Sequence, residues 1–571
     1  MLSTYRAFLI SALLLCSPVT AQDFQIDEAV KSDRDAVRSL QSQLNDLGFD
    51  TGRPDGAFGR KTQAGIEGFA TRFPTDGAEG LSQAMLDRIA VVHAGRFVSS
   101  FEEGLLVKPF DNAVNTRLLG VTDMREVPGC EACNATTFTL GAADMDGDGA
   151  VELLLHQHAQ DSRFDVIDKA TPMTIFSGRP GHGIARRDVD FVPKTMPSRV
   201  HAREAVFGDF NGDGLADVFV ASHGLDASPF PGEQNVLLLT SPSGIIDVSE
   251  THLPMQNDMA HGADAGDIDG DGDLDIFVIT NQGSTQVLPY LLRNDGTGRF
   301  TMEPASAILD PELIDFNRGG RRFEAEYSTV RLSDMNGDGA PDILLLARGE
   351  EPSRTGRGAS VKSSVLLYND GTGQFPLDTL VVLPTDRWGD QTFTNDADAV
   401  DLDGDGATDL VLTLSTRPRG GLWRGHYIQV LMQQDGAFVD RTAERIWPQR
   451  YDAPLERLNF ADKTRLADFD GDGDLDIVTH TLSPAFRDQV GDQAITIGLN
   501  DGTGVFAPVD PDWISEGPGF DRGFRGRAQA TGDFDGNGVA DIVSYQLNGQ
   551  YGDGPDRTFG VTVYVHRPVT K

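Results

Sequence analysis

The chain is predicted to be mainly β, a seven-bladed β-propeller behind a small three-helix domain. Three observations carry this reading: a short acidic loop recurs seven times, an apolar β-like run follows each copy, and one N-terminal stretch has helical spacing. The copies are DMDGDGAVE, DFNGDGLAD, DIDGDGDLD, DMNGDGAPD, DLDGDGATD, DFDGDGDLD and DFDGNGVAD, beginning at Asp144, Asp209, Asp267, Asp334, Asp401, Asp468 and Asp533. Their intervals of 65, 58, 67, 67, 67 and 65 residues are too regular for chance and mark a repeat architecture. The runs that follow, such as DIFVIT, DILLLA and DLVLTL, read as buried strands.

Each loop has side-chain oxygens at positions 1, 3, 5 and 9, glycines at 4 and 6, and an apolar residue at 2. The proposed ligands are Asp144, Asp146, Asp148 and Glu152; Asp209, Asn211, Asp213 and Asp217; Asp267, Asp269, Asp271 and Asp275; Asp334, Asn336, Asp338 and Asp342; Asp401, Asp403, Asp405 and Asp409; Asp468, Asp470, Asp472 and Asp476; and Asp533, Asp535, Asn537 and Asp541. Four convergent oxygens would repel one another without a cation, and Ca²⁺ takes six to eight hard oxygen donors, so up to seven Ca²⁺ are expected. An EF-hand is excluded because position 12 is Leu155, Val220, Val278, Leu345, Leu412, Thr479 or Ser544 instead of Glu. A plain hairpin would need only one Asp-Gly pair. Loops with Asn at position 3 or 5 carry one charge fewer and should bind more weakly.

A second string, LLRNDGTGRF, LLYNDGTGQF and LNDGTGVF, recurs about thirty residues after three of the loops and has a hairpin signature. Each unit is then about four strands, and four-stranded sheets repeated radially are propeller blades. Together the two strings resemble the FG-GAP/VCBS repeat family, the calcium-loop propeller of integrin α-subunit heads. The chain ends 38 residues after Asp533, too soon for a full last blade. A strand between about Leu105 and Asp123 is therefore expected to complete it.

From Arg34 to Ala90 the spacing is helical: Val37, Leu40, Leu44 and Leu47 form a stripe ending at Gly48, Ile66 and Phe69 sit on a second stretch, and Leu81, Met85, Leu86 and Ile89 on a third. With Leu47-Gly48-Phe49, Gly52, Pro54-Asp55-Gly56, Phe58-Gly59, Thr62, Ile66 and Phe69 at its spacing, the segment resembles the peptidoglycan-binding-domain-1 family. Gly65 and Ala70 depart from the pattern, Gly65 standing where the family usually has Ala. The resemblance implies contact with peptidoglycan or another cell-wall glycan. Most matching residues explain folding, which leaves exposed groups near the loop, Arg53, Arg60 and Lys61, as the candidate contacts.

The expected order is a signal peptide over 1–21, a linker over 22–33, the helical domain over 34–92, a linker over 93–104 and the propeller over 105–571. Arg6, the apolar run Ala7–Leu15 and the small-x-small Val19-Thr20-Ala21 pattern predict export to the periplasm or the extracellular space. Later stretches are too short to span a membrane. Cys130 and Cys133 would then be the mature chain's cysteines, expected as a short disulfide in an oxidising compartment. A formal charge of −39 opposes binding to nucleic acid, whose phosphates are held by Lys and Arg.

Catalysis leaves a thinner trace. His156 and His158 alternate on one strand and read as surface polar residues for want of a third metal ligand. His201, His261, Arg203, Asp462 and Arg527 precede loops and are expected to line a polar channel. Trp388, Trp423, Trp447 and Trp513 are expected to be buried between blades for the most part. The insertions from Pro180 and from Asp310 hold local basic clusters and are the expected surface for an unknown protein or polysaccharide partner. No catalytic constellation recurs with the loops, so an interaction or adhesion scaffold is favoured over a polysaccharide- or wall-degrading lyase or hydrolase, or a lectin.

Overall fold

The computed structural model describes residues 24, 26–46, 49, 51–72, 80–83, 85–86, 89, 114–121, 134–160, 167–177, 185–186, 196–281, 287–314, 326–348, 364–385, 392–416, 424–446, 464–480, 495–508, 527–534, 540–547 and 559–568. The signal peptide expected over 1–21, the linker over 93–104, Cys130, Cys133, Asp462, Asp535, Asn537 and the four tryptophans lie outside them. The chain divides into two compact units, 1–94 and 95–571. No described helix is long and apolar enough to cross a membrane.

The first unit contains α1 (Glu28–Ser32), α2 (Arg34–Asp46) and α3 (Arg60–Arg72), and the described residues of 83–89 are helical as well. Its core is the apolar stripe expected from helical spacing: Val37, Leu40, Leu44, Ile66, Phe69, Leu81, Met85 and Ile89 are all buried. Residues 24–33, expected as linker, instead supply α1, whose Val30 joins that core with Phe24 packed against it. Asp27 caps α1 by accepting from the Ala29 N–H at 2.9 Å, a bond typically worth about 1 kcal/mol. The departure at Gly65 has a steric cause. A Cβ there would lie 2.8 Å from the Thr51 Cγ2, so Ala would drive α3 off the loop it packs on.

The second unit is mainly β, with seven antiparallel sheets of four or five strands. In each, a first strand enters the acidic loop and a second strand leaves it. These pairs are Asn134–Ala143 with Glu152–Gln160, Ala202–Gly208 with Asp217–Ser222, Ala260–Gly266 with Asp275–Thr280, Glu326–Ser333 with Asp342–Arg348, Thr392–Val400 with Asp409–Thr416, Arg465–Ala467 with Asp476–His480, and Arg527–Gly532 with Asp541–Leu547. The seventh sheet takes its outermost strand from the other end of the unit: Val114–Val121 pairs antiparallel with Phe559–Pro568.

Second strands such as Asp217–Ser222 and Asp275–Thr280 are buried along their whole length, because the second and third sheets each pack a neighbour on both faces. That is why they read as unbroken apolar runs and not as alternation. One cluster joins Phe277, Ile279 and Leu291 of the third sheet to Val330, Ile343 and Leu345 of the fourth. Others join the second to the third, and the fourth to the fifth. First strands approach each other closely: a Cβ on Gly262 would lie 2.4 Å from the Thr329 Oγ1 of the next sheet.

Candidate metal centres

Each acidic loop folds on its own side chains. In the six loops described through position 6, both glycines take positive φ, between 72° and 97°, a region open to Gly at no steric cost. The position 1 aspartate then accepts from both glycine amides. In the first loop the Asp144 Oδ1 and Oδ2 accept from Gly147 at 2.8 Å and Gly149 at 3.0 Å, and Asp401 does the same with Gly404 and Gly406.

Position 2 anchors the loop. Met145, Phe210, Ile268, Met335, Leu402, Phe469 and Phe534 are at most 3% exposed, and five of them enter the apolar cluster shared with the following sheet. Burying one such side chain contributes about 2 kcal/mol.

Position 9 is the first residue of the second strand in all seven sheets and is buried in every one. Its carboxylate bridges two pieces of backbone. The Asp342 Oδ2 accepts from the Met335 N–H at 2.9 Å and its Oδ1 from the Asn369 N–H at 2.9 Å. The Asp476 oxygens accept from Phe469 and Asn500 at 2.8 Å each. Burial pushes this carboxyl up to about 6 in Asp217, Asp342 and Asp409 and to about 7 in Asp476, and nearby loop acids add to the rise. The charged form is therefore costly unless a positive charge sits beside it.

Two oxygens that share a Ca²⁺ at about 2.4 Å lie no more than about 4.8 Å apart. Four loops bring three carboxylates within that limit: Asp144, Asp146 and Glu152; Asp267, Asp269 and Asp271; Asp401, Asp403 and Asp409; and Asp468, Asp470 and Asp476. The position 3 carboxylates test the fit. The Asp269 Oδ1 and Asp403 Oδ1 are buried without a hydrogen-bond partner, each on a residue that belongs to its loop's cluster. All-oxygen donors of this kind suit a hard divalent cation.

The loops are not equivalent. In the fourth, the Asn336 amide donates to the Asp338 Oδ2 at 2.9 Å, so Asn at position 3 removes a charge and occupies a neighbour's oxygen. In the third, the Arg293 guanidinium lies 2.9 Å from Asp269 and 2.6 Å from Asp275. There an internal cation holds Asp275, which was expected as a ligand, and the cluster falls on positions 1, 3 and 5. Of the seventh loop, Asp533 and Asp541 are described, and Asp541 accepts from Phe534 at 2.9 Å.

The NDG strings do more than turn a hairpin. The Asn294 Nδ2 donates at 2.8 Å to the carbonyl of Phe210, position 2 of the preceding loop. Asn369 reaches Ile268 at 2.8 Å and Asn500 reaches Leu402 at 3.0 Å in the same way, and Gln433 plays the part for Met335 at 2.8 Å. Each hairpin thus staples the loop of the sheet before it. The recurring Asn was the signal for this role.

The polar interior expected from the first strands is an ion-pair belt. Arg331 pairs with Glu204 at 3.0 Å and with Asp396, and Asp396 also takes Arg465 at 2.8 Å. Burial alone would lower the Arg331 guanidinium, but Asp396, Glu204 and Asp264 outweigh it and hold it charged. Arg203 donates to the His261 carbonyl at 3.1 Å. His156 and His158, expected on the surface, are 1% exposed. At the insertion expected as a partner surface, Leu313 and Ile314 are core residues.

In the helical unit, Gln41 organises the loop that carries the candidate glycan contacts. It is 2% exposed; its Oε1 accepts from Asp55 at 3.0 Å and Gly56 at 2.8 Å, and its Nε2 donates to the Ala57 carbonyl at 3.1 Å and the Thr62 hydroxyl at 3.0 Å. Gly56 has φ 74°, and a Cβ there would meet the Arg34 carbonyl oxygen at 2.3 Å. Arg53, Arg60 and Lys61 stand exposed around this pinned loop.

Comparison with known families agrees with both resemblances. Residues 209–278, 267–345 and 334–412 match the FG-GAP-like repeat, and residues 33–73 match the model described as "Putative peptidoglycan binding domain". No curated protein matches the chain. Among solved structures, the chain is similar to a polysaccharide lyase, an ulvan lyase, at 14% identity and TM-score 0.39 over 76% of this chain and 96% of that one. A Bacillus licheniformis rhamnogalacturonan lyase is similar at 13% identity and TM-score 0.30 over 82% and 91%. The V. cholerae biofilm matrix protein Bap1 follows at 11% identity and TM-score 0.26 over 80% and 70%. These likenesses are too distant to carry activity.

Proposed function

We propose that the protein, which carries FG-GAP-like repeats and a peptidoglycan-binding domain, is an exported, calcium-stiffened seven-bladed propeller that acts as an interaction scaffold and is held at the cell wall by its helical unit. The observation that carries the reading is the set of four loops whose three carboxylates lie within reach of one ion. Each of those loops also has its position 2 side chain buried. In the three of them whose cluster includes position 9, a cation would neutralise that buried carboxylate and lock the turn between first and second strands. The pairing of Val114–Val121 on Phe559–Pro568 supports closure of the ring, since residues from the two ends of the unit share one sheet.

Retention on the wall follows from the helical unit, with Arg53, Arg60 and Lys61 as its contacts. Pulldown on purified sacculi should retain the full chain, lose it when residues 24–94 are deleted, and weaken about tenfold when the three cations are replaced together by Ala, the loss expected of two or three exposed charge contacts. Equal retention of the deleted chain overturns the tether. Release of soluble sugar from sacculi or polysaccharide by the purified protein would replace the scaffold with an enzyme.

A further inference from the structure

Among the loops described through position 6, the second and fourth carry Asn at position 3, and in both the next residue is Gly, giving Asn211-Gly212 and Asn336-Gly337. Position 3 is the one that all four three-carboxylate clusters use, through Asp146, Asp269, Asp403 and Asp470. An amide thus replaces that carboxylate in two loops that otherwise keep the positive-φ glycines and the position 1 contacts of the rest. Asn followed by Gly is also a reactive pair. A residue without Cβ leaves its backbone nitrogen unhindered and its dihedrals free, so the nitrogen can close on the preceding side-chain amide.

The hydrogen bonds of the loop place each participant in that reaction. The Gly212 and Gly337 N–H groups, whose nitrogens would attack, donate to Oδ1 of Asp209 at 2.8 Å and of Asp334 at 2.7 Å. A carboxylate is therefore already within proton-transfer reach of each nucleophile. The carbonyl oxygen under attack is held as well: the Asp213 N–H donates to the Asn211 Oδ1 at 2.9 Å, and the Asp338 N–H to the Asn336 Oδ1 at 2.9 Å. A donor at that distance stabilises negative charge as it develops on the oxygen. In the fourth loop the nitrogen that leaves has a partner too, since the Asn336 Nδ2 donates to the Asp338 Oδ2 at 2.9 Å. Asn336, Gly337 and Gly212 are exposed and Asn211 is half-buried, so water reaches both pairs.

We propose that Asn211 and Asn336 are self-modification sites, converted to aspartate and to its β-linked isomer with Asp209 and Asp334 as the bases. The Gly nitrogen forms a bond to the Asn Cγ and gives its proton to the position 1 carboxylate, which passes it to the departing nitrogen. The Cγ–Nδ2 bond breaks, ammonia leaves and a five-membered imide remains. Water then adds to one of the two imide carbonyls. Opening at Cγ gives aspartate, and opening at the main-chain carbonyl gives isoaspartate, with the chain running through Cβ. Water is the only co-reactant, and nothing is oxidised or reduced. An aspartate at either position would restore the position 3 carboxylate of the other loops. That consequence rests on the calcium reading, whereas the covalent change does not.

The test ages the full folded chain in warm, mildly alkaline buffer and maps its peptides by mass. Those holding Asn211 and Asn336 should each gain one mass unit as ammonia is released, and an isoaspartate-specific methyltransferase should label them. Asp334→Asn keeps an acceptor for the Gly337 N–H but is no base. Conversion at Asn336 should then slow by about tenfold, a modest effect for a positioned base, while Asn211 in the same molecules keeps its wild-type rate. Asn336→Gln should remove the gain at that site, because the longer side chain would have to close a six-membered ring. Absence of the mass gain at either site in the wild type, or conversion at Asn336 that is equal or faster in Asp334→Asn, overturns the proposal. Asn336→Asp supplies the product directly and should raise the Ca²⁺ affinity of the fourth loop by about tenfold, since ligand charge tunes such sites. Failure of that step alone strikes calcium from the loop and leaves the conversion standing.

Discussion

The acidic loops and the ion-pair belt both concentrate charge in the second unit, and they handle it in opposite ways. In the loops, carboxylates gather on backbone amides, and counter-charge falls short: the Asp403 Oδ2 has Arg445 at 3.3 Å, yet the Asp403 Oδ1 is buried without a hydrogen-bond partner. In the belt, Asp396 sits between Arg331 and Arg465 and the account closes internally. One region should therefore respond to an external cation and the other should not. Charge density alone does not reveal a binding site; the missing counter-charge does.

Chelation gives the largest contrast. A ligand that binds only the native state at 100 times its dissociation constant stabilises it by about 2.7 kcal/mol per site, and several loops contribute. Removing Ca²⁺ should therefore lower the melting temperature of the wild type by 10 °C or more, a rough figure for sites acting together. Asp401→Asn should shrink that response, because Asp401 is a proposed ligand that also holds the Gly404 and Gly406 amides. A melting curve indifferent to chelator would remove the metal from the loops.

The belt should show the converse. Arg331→Met leaves Glu204 and Asp396, at 7% and 1% exposure, short of their shared partner. Breaking a buried pair from one side costs about 3–5 kcal/mol. Denaturant unfolding should register that loss equally with Ca²⁺ and with chelator. A loss confined to one of the two conditions would mean that loops and belt are coupled.

How much of this contrast was legible in the sequence follows from how each feature is encoded. A loop whose candidate donors all lie within its own nine residues shows them in one glance, and seven copies remove chance. The belt is assembled from Glu204, Arg331, Asp396 and Arg465, each from a different sheet, and no spacing announces it. The same holds for the staples: Asn369 reaches the Ile268 carbonyl across 101 positions of chain, and a backbone acceptor has no residue type to read. His156 and His158 looked like surface residues because their neighbour His201 comes from the next sheet. In the helical unit, Gln41 is a buried polar residue among the apolar positions of α2, a signal that was present and passed over.

Between the two extremes lies a buried acid with neither a metal nor a cation. Asp258 is fully buried, its Oδ2 accepts from the Tyr290 hydroxyl at 2.6 Å and from the Asn235 amide at 3.4 Å, and burial pushes it up to about 7. With the native pKa raised above the unfolded value, the native state takes up a proton first as the pH falls. Its contribution is thus most unfavourable above about pH 7 and is relieved progressively from pH 7 toward pH 4, by a few kcal/mol at most. Asp258→Asn should abolish that part of the pH dependence and raise stability at pH 8. An unchanged slope between pH 5 and 8 would mean that the acid is compensated by another group.

The finest cut falls inside the loops. Arg293 gives the third loop what the belt has, an internal cation, with its guanidinium on both Asp269 and Asp275. Arg293→Gln keeps a hydrogen-bond donor but removes the charge. Without Ca²⁺ it should cost about 1 kcal/mol, the worth of a partly buried charge-assisted contact. With Ca²⁺ the sign should reverse at this loop: like-charge repulsion is gone, and affinity should rise roughly three- to tenfold, since about 1 kcal/mol corresponds to a factor of five. The stability of the variant should therefore cross that of the wild type as Ca²⁺ is raised. Parallel curves at all Ca²⁺ concentrations would show that the third loop behaves as a piece of the belt, satisfied from within and closed to metal, despite a sequence indistinguishable in its ligands from those of the fifth and sixth.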